Sequence, residues 1–257
     1  MGAEDRFELT DKVAIVTGGA GAIGRVIARG FAEAGASVVL ASRTLSSAEE
    51  AADELRADGF SARAIPVDVS DRASAIAMAD AAAAALGGVD ILVNNAGLMA
   101  EIPQVDLLDM EPEWLERVLQ VNLLGAIHCA AAVRPHLIER GAGRIINVSS
   151  AGAFMPYGIY GISKSALHSA TIALARSLGP YRVTVNTIAP GMVENGPGFE
   201  ALPADSPIRA HLASQVPGKP SAPAEDLLGV LLLLASEAGS WVNGQHIGVD
   251  GGWIVRL

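Results

Sequence analysis

The sequence predicts one α/β domain built on a doubly wound parallel sheet of about seven strands, with helices on both faces. Three observations carry this expectation. Short apolar runs alternate with longer segments of helical spacing from residue 12 onward. The first apolar run leads directly into a glycine-rich turn and then a helix. The 257 residues contain no linker, composition break or internal repeat, so a single domain is expected over 1–257.

Each element follows from a local pattern. Residues 12–17, KVAIVT, are continuously apolar, as in a strand covered on both faces. Residues 22–34 have helical spacing and stop at Gly35. A second strand is expected over 37–42, a helix over 46–57 and a third strand over 61–69. Residues 71–86 are helical and stop at Gly87. DILVNNAG, 90–97, reads as a fourth strand and its exit loop. A long helix follows over 114–140, with a candidate break near Asn122. RIINVSS, 144–150, is a fifth strand, and a helix over 157–178 is ended by Gly179 and Pro180. Strand 182–190, helix 224–237 and strand 245–252 complete the alternation. Residues 191–223 break the rhythm with Pro197, Pro203, Pro207, Pro217, Pro220 and Pro223. An irregular loop of that length is expected to be a mobile substrate-binding lid.

Composition excludes several functions. Hydrophobic residues make up 51% of the chain and charged residues 18%, enough apolar material for a large core. The formal charge of −10 argues against nucleic acid, because phosphate binding needs clustered Lys and Arg. The single cysteine, Cys129, cannot form an internal disulfide, and no Cys/His cluster has metal-ligand spacing, so no metal is expected. A reducing, cytoplasmic location fits this usage. The first ten residues show no secretory pattern, and Arg6 stands where myristoylation needs Ser or Thr. The longest apolar run, 227–235, is too short to cross a bilayer, so no membrane partner is expected.

TGGAGAIG, 17–24, lies between a strand and a helix, where backbone N–H groups and a helix N-terminus can hold a phosphate. Gly19, Gly21 and Gly24 fit the general dinucleotide fingerprint G-x-G-x-x-G. The second strand ends at Ser42, where an NAD-binding site would carry an acid for the ribose hydroxyls. Arg43 follows and can pair with a 2′-phosphate, which favours NADP, with NAD as the alternative. A solvated surface arginine is the bland alternative for Arg43.

The second half of the chain adds motifs at strand ends. NNAG closes the fourth strand, Asn122 lies in LQVNLLG, and Ser149 and Ser150 close the fifth strand. YGISK places Tyr160 and Lys164 four apart on one helix face, NTIAPG closes the sixth strand, and VDGG the last. With TGGAGAIG, these resemble the short-chain dehydrogenase/reductase family in its single-domain form, over 12–253. The retained lysine and glycines argue against a dehalogenase or a non-catalytic sensor on the same fold.

The resemblance implies an oxidoreductase moving a hydride between NADP(H) and an alcohol/ketone pair. Tyr160 would be the general acid/base and Lys164 its charge partner. A serine would orient the substrate oxygen, and Asn122 would hold a relay water. Gly18, Ile23 and Gly24 would meet the phosphates, Ser42 and Arg43 the adenosine ribose, and Asp68 and Val69 the adenine. Asn95, Ala96 and Gly97 would line the ribose, Lys164 would bond it near Tyr160, and Val193 would meet the carboxamide. The long helices would pack against other copies in a homotetramer or dimer.

The departures are local. The family's serine falls thirteen residues before the tyrosine, where this chain has Asn147. Aligning the strand instead makes Ser150 the expected residue and Ser149 the alternative, since alternation lets one of them face the pocket. Asn195 replaces the usual threonine after Pro190. In the family frame T-G-x-x-x-G-x-G, Ala22 replaces the middle glycine. Helical angles are expected at Ala22, a flexible role at Gly21, and an incidental origin for the G-x-G-x-x-G match. Met99, Met155, Tyr157 and Met192 are candidate pocket residues, with ordinary packing as the equal alternative; Met155, Tyr157, Met192 and Phe199, without clustered Arg or Lys, suggest a neutral, apolar ketone or secondary alcohol.

Overall fold

A computed structural model describes residues 2, 4–155, 158–194, 196, 205 and 207–255, with the backbone alone at 208, 209, 212 and 213. The elements run β1 (Val13–Thr17), α1 (Ala22–Glu33), β2 (Ser37–Ser42), α2 (Leu45–Ala57), β3 (Ala62–Pro66), α3 (Arg72–Leu86) and β4 (Ile91–Asn94). They continue with α4 (Pro112–Leu119), a π turn (Gln120–Leu124), α5 (Gly125–Glu139), β5 (Gly143–Val148) and α6 (Gly158–Leu178). The last are β6 (Val183–Pro190), α7 (Pro207–Ser214), α8 (Leu228–Ala235) and β7 (His246–Val249).

The seven strands form one parallel sheet in the order β3-β2-β1-β4-β5-β6-β7. The winding direction reverses between β1 and β4, so a crevice opens beyond the C-terminal strand ends there. The apolar runs reflect cover on both faces. Ala14 and Val16 pack with Ile27 and Phe31 of α1 and Leu231 and Leu234 of α8. Ile15, one residue out of phase, packs on the other face with Met78 of α3, Val133 and Leu137 of α5 and Leu178 of α6.

Three local expectations change. The break near Asn122 is a π turn inside one rod, Pro112–Glu139. That rod is long and apolar enough to cross a bilayer by those two measures alone, which scanning for an uninterrupted apolar run overlooks. Its Cys129, Ala130, Val133 and Leu137 are buried in the core beneath the sheet. Burial pushes the Cys129 thiol up to about 12, consistent with an inert packing residue. The stretch 191–223 is not without structure: α7 starts at Pro207, and Val193 bridges Ala222. Proline suits the first helical position because its missing N–H has no partner there, so Pro207 starts a helix instead of breaking one. Finally, β3 ends at Pro66, which an edge strand tolerates.

Candidate active site

The phosphate turn joins β1 to α1. Gly18 has φ +64°, and a Cβ there would lie 3.0 Å from the Ala96 Cα. A Cβ at Gly24 would collide with the Gly18 carbonyl oxygen. A Cβ at Gly19 would come within 2.8 Å of the Leu40 Cα, so this glycine is sterically required, not incidental. Gly21, expected in a flexible role, is extended (φ −77°, ψ 166°), and the left-handed conformation of the turn belongs to Gly18. Ala22 opens α1 with helical geometry, as expected, and Ile23 rests partly buried on the core. No side chain caps α1. Its first-turn N–H groups and positive dipole end therefore face the crevice, a fit for a phosphate.

A side-chain brace fixes this turn against β4. The Thr17 hydroxyl accepts from the N–H groups of Asn95 and Ala96, both at 3.1 Å. The Asn95 amide donates to the carbonyls of Thr17 (3.0 Å) and Gly18 (3.2 Å). Asn95, expected beside a ribose, thus holds the turn's shape. Gly97 is exposed, and a Cβ there would lie 3.3 Å from Asn122 Oδ1 and 3.4 Å from Lys164 Nζ. Glycine keeps the approach to Lys164 open.

The adenosine side is more exposed. Ser42 ends β2, and Arg43 projects beyond it with no hydrogen bond or ion pair among the described residues. Asp68 accepts from the N–H (3.0 Å) and hydroxyl (2.6 Å) of Ser70. The Ser70 hydroxyl holds its carboxyl below the ordinary range, with smaller help from the Arg43 and Arg117 charges. The structure therefore brings Arg43 and Asp68 to one rim. Val69 differs: its side chain is core, packed where Gly125 leaves room, and its carbonyl lies 3.1 Å from His128 Nδ1. Val193 is likewise buried. Only main-chain atoms of these two are placed to meet a ligand.

The reactive cluster sits where β5 and α6 meet. Ser150 and Tyr160 share a side-chain hydrogen bond, and the Ser150 Oγ also accepts from the Gly152 N–H at 3.1 Å. Ser149 turns the other way, buried, its hydroxyl 3.3 Å from the Lys164 carbonyl. Adjacent strand-end residues point to opposite sides, which separates the two serines geometrically. We expect Ser150→Ala to lower kcat about 10²-fold and Ser149→Ala to change it less than about threefold. Steady-state rates of the two variants check this.

Lys164 is 4% exposed, and its ammonium donates to the Val148 carbonyl at 2.9 Å. Burial pulls it down to about 8. It lies 5.8 Å from the Tyr160 ring centroid. Burial pushes the Tyr160 phenol up, and the Ser150 hydrogen bond opposes this. The protein's own groups therefore hold Tyr160 as a neutral phenol, an acid ready to donate.

Asn122, in the π turn, accepts from the Leu98 N–H at 2.7 Å and donates to the Leu98 carbonyl (3.0 Å) and the Ser163 hydroxyl (3.1 Å). Both amide hydrogens are used, so its side chain braces the β4 exit loop against α6. Ser163 in turn donates to the Tyr160 carbonyl at 2.6 Å. Sequence reasoning missed this residue. It also missed the buried chain that ties sheet to helix: Asn94 donates to Asn147 (2.9 Å), Asn147 to Thr171 (2.8 Å), and Thr171 meets Thr187 at 2.8 Å. Asparagines inside otherwise apolar strands were the available signal, since a buried amide demands partners. Met99, Met155 and Met192 are partly buried near these strand ends. Tyr157, Asn195 and Phe199 lie outside the described residues.

Known proteins resemble this chain over nearly its whole length. The family model described as enoyl-(acyl carrier protein) reductase matches residues 18–254. An uncharacterized oxidoreductase of Mycobacterium tuberculosis is 39% identical over 245 residues, 95% of this chain and 98% of the relative. Gluconate 5-dehydrogenase of Gluconobacter oxydans is 33% identical over 260 residues, covering all of both chains. A crystal structure of gluconate 5-dehydrogenase from Burkholderia cenocepacia, in complex with NADP and tartrate, superposes with a TM-score of 0.92 at 35% identity, covering 98% of each chain.

Proposed function

Because the chain belongs to the short-chain dehydrogenase/reductase family, an oxidoreductase family, we propose that it interconverts a secondary alcohol and a ketone with NADP(H). The observation that carries this reading is the Ser150–Tyr160 hydrogen bond beside a buried Lys164, at the mouth of an uncapped helix and its glycine turn. When bound, the nicotinamide cofactor supplies or accepts the hydride.

The chain's own residues handle the oxygen and the proton. Ser150 and Tyr160 both donate to the substrate carbonyl oxygen, polarising the carbon. Tyr160, held neutral by burial, gives its proton to that oxygen in the reductive direction. In the oxidative direction Tyr160 must start as the phenolate, which a charged Lys164 stabilises, and it becomes the neutral phenol on accepting the alcohol proton. Asn122 and Ser163 fix the helix turn carrying Tyr160. Gly18, Ile23 and Gly24 would hold the phosphates. Arg43 would bind a 2′-phosphate beyond Ser42, and the main chain at Asp68, Val69, Ala96, Gly97 and Val193 would line the rest.

The cofactor reading is supported by the exposed Arg43 guanidinium, unpaired among the described residues, and by the NADP in the Burkholderia structure. Methionines near the strand ends favour an uncharged, largely apolar substrate. A polyhydroxylated acid is the second reading, favoured by the similarity to gluconate 5-dehydrogenases. A lid over 191–223 and a homo-oligomer belong to the same proposal; Leu124, Ile138, Ile162 and Ile172 are exposed on the long helices.

The test is absorbance of NADPH and NADH with a panel of apolar ketones, sugar acids and polyols. Turnover with NADPH is expected, and Arg43→Asp should reverse the cofactor preference by about 10²-fold or more. A wild-type preference for NADH sinks the cofactor assignment. Absence of turnover across the panel favours a cofactor-binding scaffold.

A further inference from the structure

A second cleft, of about 530 Å3, lies at the N-terminal ends of β5 and β6, lined by Arg144, Arg182, Thr184, Glu237, Trp241 and Asn243. Strand β6 separates it from Pro190 and the candidate active site by eight residues, about 25 Å. We propose that this cleft binds a small organic oxyanion, a carboxylate or phosphate ester carried on a planar ring.

The charge argument comes first. Arg144 is 6% exposed and donates to the Gly143 and Ser236 carbonyls and to Glu237 at 2.8 Å. Arg182 is exposed and has no side-chain hydrogen bond or ion pair among the described residues. Burial first, and the Arg182 charge to a lesser degree, hold Arg144 below its ordinary value, while Glu237 acts the other way. Two like charges and one half-exposed carboxylate, paired with Arg144, therefore line one cleft, leaving an excess positive charge there in a chain of formal charge −10. A bidentate oxyanion complements that arrangement.

Further observations point to a ligand. Arg182 has φ 60° and ψ 28°, a left-handed backbone that favours glycine. Its N–H closes the Gly179–Tyr181 turn by donating to the Gly179 carbonyl at 2.9 Å, and its exposed guanidinium projects from that turn. Trp241 is 97% exposed, so its whole indole face is open to stack on a planar ring. Thr184, also lining the cleft, has a buried hydroxyl without a hydrogen-bond partner among the described residues. The cleft volume falls within the range of small-molecule sites.

The test is a titration of the full chain with phenyl phosphate and, separately, benzoate, following tryptophan emission. Benzyl alcohol and inorganic phosphate supply the ring and the anion alone. A saturable quench is expected with at least one aromatic anion, and the two arms separate phosphate from carboxylate. Benzyl alcohol should give none, and inorganic phosphate should compete. Arg182→Gly should weaken binding about tenfold or more. It should not lower Tm, because glycine suits this backbone. Trp241→Phe should abolish the signal. No saturable quench with either anion, or a quench unchanged in both variants, would overturn the proposal.

Discussion

Replacing Tyr160 by phenylalanine is expected to lower kcat by about 10²–10⁴-fold with little change in cofactor affinity. Among the described residues, the phenol is the acidic group brought against the Ser150 hydroxyl, and burial holds it protonated. Phenylalanine keeps the ring and its packing but removes the proton and one of two donors to the substrate oxygen. A loss confined to kcat would mean that the donor acts chiefly in the transition state. Stability should change little, because the ring stays and Ser150 keeps the Gly152 N–H as partner. Stopped-flow rates and cofactor titration of the variant check this. A variant within about threefold of wild type would assign proton transfer to another group.

Lys164→Met is expected to inactivate the enzyme to a similar degree and to change the pH dependence of stability in a defined direction. Lys164 has an ordinary value of 10.5 in the unfolded chain and about 8 when folded. Below pH 8 both states hold the proton, and the folded state bears a constant cost of about 3 kcal/mol for the buried charge. Between pH 8 and 10.5 the unfolded chain binds more protons, so this lysine's contribution to stability rises with pH. Methionine removes the cost but leaves the Val148 carbonyl without its donor, an opposing cost of about 1–3 kcal/mol. At pH 7 the two nearly cancel. Between pH 7 and pH 10.5 the variant should then lose stability relative to wild type by about 3 kcal/mol. Urea unfolding of both proteins at the two pH values measures the difference, and a pH-independent difference would refute the buried, depressed lysine.

The opposing influences on Lys164 belong to the whole fold. The residue lies one helical turn from Tyr160, which the spacing of YGISK already indicated. What spacing could not indicate is the Val148 carbonyl, contributed by β5 and set against α6 by tertiary packing. Ser149 and Ser150 make the same point. Alternation said that one of them faces the pocket, and the β5–α6 contact decided that Ser150 meets Tyr160 while Ser149 meets the Lys164 carbonyl.

The alternation of apolar runs and helical segments, the glycine turn and the strand-end motifs were all legible along the chain, because periodicity and turn chemistry act over a few residues. Those local rules placed all seven strands and set the candidate site residues at strand ends. Tertiary structure decided which glycine takes the left-handed angle: Gly18 does so, where a Cβ would also press on Asn95 and Ala96 of the β4 exit loop. It placed Val69 in the core, turned Asn95 toward the phosphate turn, and linked Asn94, Asn147, Thr171 and Thr187 across three strands and a helix. Such contacts join residues tens of positions apart, where sequence pattern carries no distance information. A buried polar group takes whichever partner the packed chain brings within reach.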